Sequence, residues 1–136
     1  MINIIFYIIE INPVKLLVMF ISKPGFTYIL SNYTRTVLYI GVTNNIYSRL
    51  QAHKNQAGSS FAIKYKCYYL MWYESFLYFD EAIVREKQLK RWHKKWKWNL
   101  IKIYNPQLLD LSAEWFNESN QLIKSELLWD HIARFY

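Results

Sequence analysis

Residues 26–41 read FTYILSNYTRTVLYIG, two short apolar segments on either side of a polar stretch, and their pairing decides the fold. Residue types alternate with period two in both halves. Ile29, Leu38, Ile40 and Val42 therefore share one face of a sheet, and Tyr28, Tyr39 and Gly41 share the other. Asn32 to Thr36 form the turn. The expected product is an antiparallel hairpin with two phenols side by side, next to a glycine whose missing side chain leaves room for a ligand. Taken alone, the pattern is that of a tyrosine-rich core hairpin; the residues that follow make it a candidate site.

Downstream, Asn44 or Asn45 is a suitable N-cap for a helix running to about Ala57, with Gly58 as its stop. Ile46, Leu50 and Ala57 form its apolar stripe. Arg49 flanks that stripe and His53 falls inside it, so both lean toward the sheet; a hydrogen-bonded core histidine accounts for His53 as well as a function does. Ser59 to Lys66 reads as a polar, basic loop, and Cys67 to Ser75 (CYYLMWYES) as a third strand. Asp80 caps a helix from about Glu81, with Ala82, Ile83, Leu89, Trp92 and Trp96 inward. Steps of about 100° per residue put Glu86 between Ile83 and Leu89, where an ionised carboxylate is costly unless a cation compensates it. Lys90, one turn on, is one such cation; a functional ion is the other.

Between Arg85 and Lys102 positive charge is dense, with Arg85, Lys87, Lys90, Arg91, Lys94, Lys95, Lys97 and Lys102 interleaved with Trp92, Trp96 and Trp98. Such a stretch suits a phosphate backbone or an anionic interface, and equally a solvated face over an aromatic seam. Helical phase breaks near His93 to Lys95, and a second helix runs through Tyr104 until Asn105 and Pro106 end it.

At 136 residues the chain has length for one domain and one core. A formal net charge of +7 favours a polyanionic partner. The single cysteine, Cys67, excludes an internal disulfide framework and a thiolate metal cluster, and fits a reducing, cytoplasmic compartment. Residues 1–23 form an apolar extension. Glu10, Asn12, Pro13 and Lys15 break it into pieces far shorter than the roughly 20 apolar residues of a spanning helix. A domain over 24–111 follows, then a tail, 112–136, expected to form an amphipathic helix from the pattern of Trp115, Leu122, Leu127, Leu128 and Ile132. There is no internal repeat, glycine-rich phosphate loop or metal-ligand spacing of cysteine and histidine.

Thr27-Tyr28-Ile29, Tyr39-Ile40-Gly41, Arg49, His53 and Glu86, in that order, resemble the GIY-YIG nuclease superfamily over roughly Pro24 to Leu111. GFTYIL, VLYIGVTNN, EAIVREKQLKRW and LIKIYNP are similar to the small stand-alone bacterial members, relatives of the nuclease half of the excision-repair incision subunit and of homing endonucleases. The first triplet departs from the family name but keeps its tyrosine. The resemblance implies an α+β fold, a small three-stranded antiparallel sheet flanked by helices, acting as a DNA endonuclease. It implies one divalent cation, Mg²⁺ or Mn²⁺, held mainly by Glu86, waters and substrate phosphate. Tyr28, Tyr39, Arg49 and His53 match active-site positions. A further family asparagine falls on Asn105, with Asn99 as second choice.

On this reading Arg85, Lys90, Arg91, Lys94, Lys95 and Lys97 contact DNA. No stable membrane association or obligatory protein partner is expected, and with no separate sequence-reading module the expectation is recognition of DNA structure or low specificity. A free tyrosine, with a pKa of about 10, serves as general base near neutrality only if positive charge lowers it, and Arg49 is expected to do so for Tyr28 or Tyr39. Arg49 can also fork onto a phosphate in two hydrogen bonds. The rival readings are a non-catalytic nucleic-acid-binding module with the same basic surface, and peripheral membrane attachment.

Overall fold

The computed structural model describes residues 23–116; the expectations for the apolar extension up to Ser22 and for the tail beyond Phe116 lie outside them. The hairpin is present. Strands β1 (Gly25–Ser31) and β2 (Leu38–Thr43) pair antiparallel with Tyr28 opposite Gly41 and Ile29 opposite Ile40. Asn32 organises the turn with its own side chain: Oδ1 accepts the backbone N–H groups of Thr36 at 2.9 Å and Val37 at 3.0 Å, and Nδ2 donates to the Thr36 hydroxyl at 2.8 Å.

The remaining elements are α1 (Ile46–Lys54), α2 (Ser60–Lys64), β3 (Tyr69–Phe76), α3 (Phe79–Arg91) and α4 (Lys94–Tyr104). β3 joins the free side of β1, antiparallel, so the sheet order is β2-β1-β3 and β2 is an outer strand. The architecture is the expected α+β arrangement of a three-stranded antiparallel sheet flanked by helices. Period-two alternation divides the core between the sheet's two faces. Phe26, Tyr28 and Leu30 pack with Ile46 and Leu50 of α1 and Ala62 of α2. Ile29, Ile40, Met71 and Trp72 pack with Leu89 of α3 and Ile101 of α4.

Pairing between β1 and β3 slips after Ile29, which faces Trp72 while Leu30 faces Leu70. Met71 is therefore the extra residue of a β-bulge, outside the regular ladder.

Several boundaries differ from expectation. α1 stops at Lys54 rather than near Ala57, and its turn is made by Gln56 at φ 58°, not by Gly58; no glycine has positive φ. Four bulkier residues, Arg35, Gln56, Lys66 and Leu108, occupy that left-handed region instead. The expected loop at Ser59 to Lys66 contains α2. Cys67 precedes its strand rather than lying in it, and burial pushes its thiol up to about 11, as befits an inert core group. Tyr78, not Asp80, is the N-cap of α3, and Asp80 sits in the first turn. The break at Trp92 and His93 resets helical phase, so Trp96 is 53% exposed rather than inward.

Candidate active site

Asn45 caps α1, its side chain accepting the Ser48 N–H at 3.1 Å, and this fixes where the helix begins against the sheet. Arg49 and His53, four residues apart on one side of α1, then reach the tyrosine face of the hairpin. The Tyr28 hydroxyl lies 2.9 Å from His53 Nε2 and accepts the Arg49 Nε–H at 3.3 Å. The Tyr28 and Tyr39 rings stand 6.2 Å apart, and Tyr39 meets the His53 ring at 5.3 Å. Four of the expected residues, Tyr28, Tyr39, Arg49 and His53, thus form one contact group.

Two glycines make that group possible, for a reason other than the one expected. A side chain at Gly41 would place Cβ 2.4 Å from Cζ and the hydroxyl oxygen of Tyr28. The space beside Gly41 is filled by the Tyr28 phenol itself and is not room for a ligand. Gly58 does the same for His53, whose Nδ1 would lie 2.3 Å from a Cβ there. Tyr28 and His53 are accordingly buried, and His53 Nδ1 has no hydrogen-bond partner among the described residues.

Burial governs the ionisation of the group. It pushes the Tyr28 phenol well above its ordinary range, a larger effect than the downward pull of the Arg49 hydrogen bond. The expectation that positive surroundings lower this phenol is reversed: Tyr28 stays protonated. Burial, aided by the Arg49 guanidinium, lowers His53 to about 4, so the imidazole is neutral near pH 7. The hydrogen bond to Tyr28 raises Arg49 further, outweighing its desolvation, and its charge is permanent.

Glu86 arrives from the other layer. It is buried on α3, which packs on β1 and β2, and its carboxylate is paired with the Lys90 ammonium. The intrahelical cation is therefore the partner present. Lys90 also lines a cleft of about 400 Å³ with Leu38, Tyr39, Ile40, Ser59, Phe61 and Lys97. Tyr39 points to one face of β2, Leu38 and Ile40 to the other, so this cleft runs along the free edge of the outer strand, between α2 and the α3/α4 layer. It is the place where residues from both sides of the sheet converge.

Asn105 is held elsewhere. Its Nδ2 donates to the bulge carbonyl of Met71 at 3.1 Å and to Leu109 O at 2.8 Å, and its Oδ1 accepts the Leu109 N–H at 3.1 Å. Asn99 is exposed. Of the basic candidates, Lys90 and Lys97 line the cleft, Arg91 and Lys95 are exposed, and Lys94 donates to Thr36 O. Arg85 belongs to the opposite edge: it bonds Glu74 Oε2 at 2.9 Å and borders a second cavity of about 380 Å³ with Trp72, Tyr73 and Tyr104. Phe61, in a segment expected to be a loop, belongs to α2 instead. The four-residue spacing of Phe61 and Tyr65 was the signal of a helical turn.

Among the described residues no helix is long and apolar enough to cross a membrane. No curated protein and no solved structure matches the chain. The family model for the GIY-YIG catalytic domain matches residues 24–99, more than half of the 136, ending ahead of Asn105. With that match and a three-stranded antiparallel sheet flanked by helices, the chain belongs to the GIY-YIG family, whose domains are generally nucleases acting on DNA.

Proposed function

We propose that this protein is a metal-dependent endonuclease that hydrolyses DNA phosphodiester bonds and leaves a 5′ phosphate. The observation that carries the reading is the contact group of Tyr28, Arg49, His53 and Tyr39, of which Tyr39 lines a cleft on the open edge of β2. Tyr39 lines that cleft and is the general base that takes a proton from the attacking water. Tyr28, buried and protonated, holds Arg49 and His53 in place. Arg49 stabilises charge growing on the phosphoryl oxygens. Lys90 and Lys97 hold the backbone across the cleft. Asn105 acts through the scaffold as a positioning residue.

Glu86 is the residue that would hold the ion. A lone buried carboxylate, with no cluster of three or more metal-binding side chains among the described residues, suits a cation that keeps most of its waters and shares the substrate phosphate, as Mg²⁺ does. Bound there, the ion supplies Lewis acidity toward the phosphoryl group. The Lys90 ammonium must then leave the carboxylate, which makes metal binding weak until DNA takes up the lysine. That same ion pair favours the alternative, a non-catalytic nucleic-acid-binding module in which Glu86 serves only Lys90. The cytoplasm, where a lone thiol stays reduced, suits either reading.

Cleavage of supercoiled, branched and single-stranded DNA with Mg²⁺ or Mn²⁺ tests the proposal. Glu86→Ala is expected to abolish cutting; equal cutting by wild type and variant removes Glu86 from the mechanism. Arg49→Ala is expected to lose turnover by about 10²-fold or more while retaining DNA binding. A parallel fall in both makes Arg49 a phosphate anchor.

A further inference from the structure

Tyr39 is the first ring of a series that leaves the cleft. Phe61 of α2 stacks against it at 6.3 Å with planes 26° apart, and Tyr65 follows 4.6 Å from Phe61. Phe61 is 45% exposed and Tyr65 40%, whereas Ala62 between them is buried. Phe61 itself lines the cleft, and Lys90 and Lys97 line it from the α3/α4 side. Lys64 stands 5.3 Å from the Tyr65 ring, at the outer end of the series.

Tyr39 and Phe61 on one wall, continued outside the cleft by Tyr65, and ammonium groups on the other form a complementary pair of surfaces for a nucleotide. The base finds a π-face and the phosphate finds charge. A base inside a duplex already has both faces covered by its neighbours, so it gains nothing from such a row. An unpaired or splayed base gains the stacking. The cleft, at about 400 Å³, is of the size that takes a small ligand rather than a double helix.

We infer that Phe61 and Tyr65 form a stacking platform for an unpaired base next to the scissile phosphate, so that the substrate is DNA with a single-stranded segment at the cut: a flap, a junction or a single strand. The position of the cut beside this base rests on the nuclease reading, but the platform itself can be tested without cleavage. Wild type, Phe61→Ala, Phe61→Leu and Tyr65→Ala are titrated in metal-free buffer onto a single strand carrying 2-aminopurine and onto the matched duplex, with thermal unfolding of each variant. Wild type is expected to quench the fluorophore in the single strand. Both alanine variants and Phe61→Leu should bind that strand about 10-fold or more weakly, with reduced quenching and little change on duplex. Leucine restores apolar packing against Tyr39 but not a π-face; if Phe61→Leu binds and quenches like wild type, Phe61 is only packing and the inference falls. It falls likewise if all variants lose single strand and duplex equally. Adding Mg²⁺ separates the two readings. A wild type that quenches and never cuts refutes the nuclease and keeps the platform, whereas one that cuts with a preference unchanged in Phe61→Leu refutes the platform and keeps the nuclease.

Discussion

At Tyr28 a phenol oxygen meets a guanidinium at 3.3 Å and an imidazole at 2.9 Å, and burial decides what these contacts do. In water, a nearby arginine favours the phenolate; inside the core, the cost of desolvating that anion is larger, and the hydroxyl is retained. The two tyrosines of one hairpin face are thereby separated into a buried brace and a cleft residue. His53 follows the same rule with the opposite sign of charge. Its folded pKa of about 4 lies below the unfolded value near 6.5, so the unfolded chain binds the extra proton between these values. The stabilisation is full above about pH 6.5 and is lost as pH falls toward 4, at a rate of at most about 1.4 kcal/mol per pH unit. Thermal unfolding at pH 7 and pH 5 is expected to show this loss in wild type and not in His53→Gln. Asp110 does not blur the result. Although burial alone would raise it, the Ser112 and Leu70 hydrogen bonds and Lys54 hold its carboxyl below the ordinary range, so it acts only at lower pH.

Asn105 shows how elements depend on one another. A bulged residue loses its place in the ladder, and Asn105 Nδ2 supplies the missing donor for the Met71 carbonyl while the rest of its amide closes the turn to Leu109. Asn105→Ala is expected to destabilise by about 1–3 kcal/mol, lowering Tm by several degrees, with DNA cleavage per folded molecule reduced less than by Arg49→Ala. Calorimetry alongside the nuclease assay checks both halves. That function could not be seen in the sequence, where nothing marks Met71 as the extra residue of β3. The hairpin could, because alternation survives any length of turn. Arg49, His53 and Glu86 were legible from helical phase, since each sits one turn from an apolar neighbour. Phase fails where the backbone interrupts it: only the α3 period carried through the break at His93 puts Trp96 on the buried side. A glycine after a helix suggests a cap, whereas Gly58 accommodates the His53 ring.

For the molecule as a whole, a net charge of +7 sets the field, but the position of each charge decides what it contributes. Lys90 and Lys97 face the cleft on the β2 side, whereas Arg85 is tied to Glu74 at the β3 side. Plots of log K against log salt for DNA binding are expected to lose about one unit of slope in Lys90→Gln or Lys97→Gln, and almost none in Arg85→Gln. Equal slopes for all three would mean that DNA lies across both edges of the sheet. The distribution of glycine has a different consequence. All three glycines are committed to close approach, Gly25 against Ala82, Gly41 against Tyr28 and Gly58 against His53, while the left-handed turns fall to Arg35, Gln56, Lys66 and Leu108. The chain therefore carries an adaptive reserve: its tight bends could be relaxed one at a time by small residues, offsetting the losses that new active-site variants bring, without disturbing the two contacts on which the tyrosine and histidine depend.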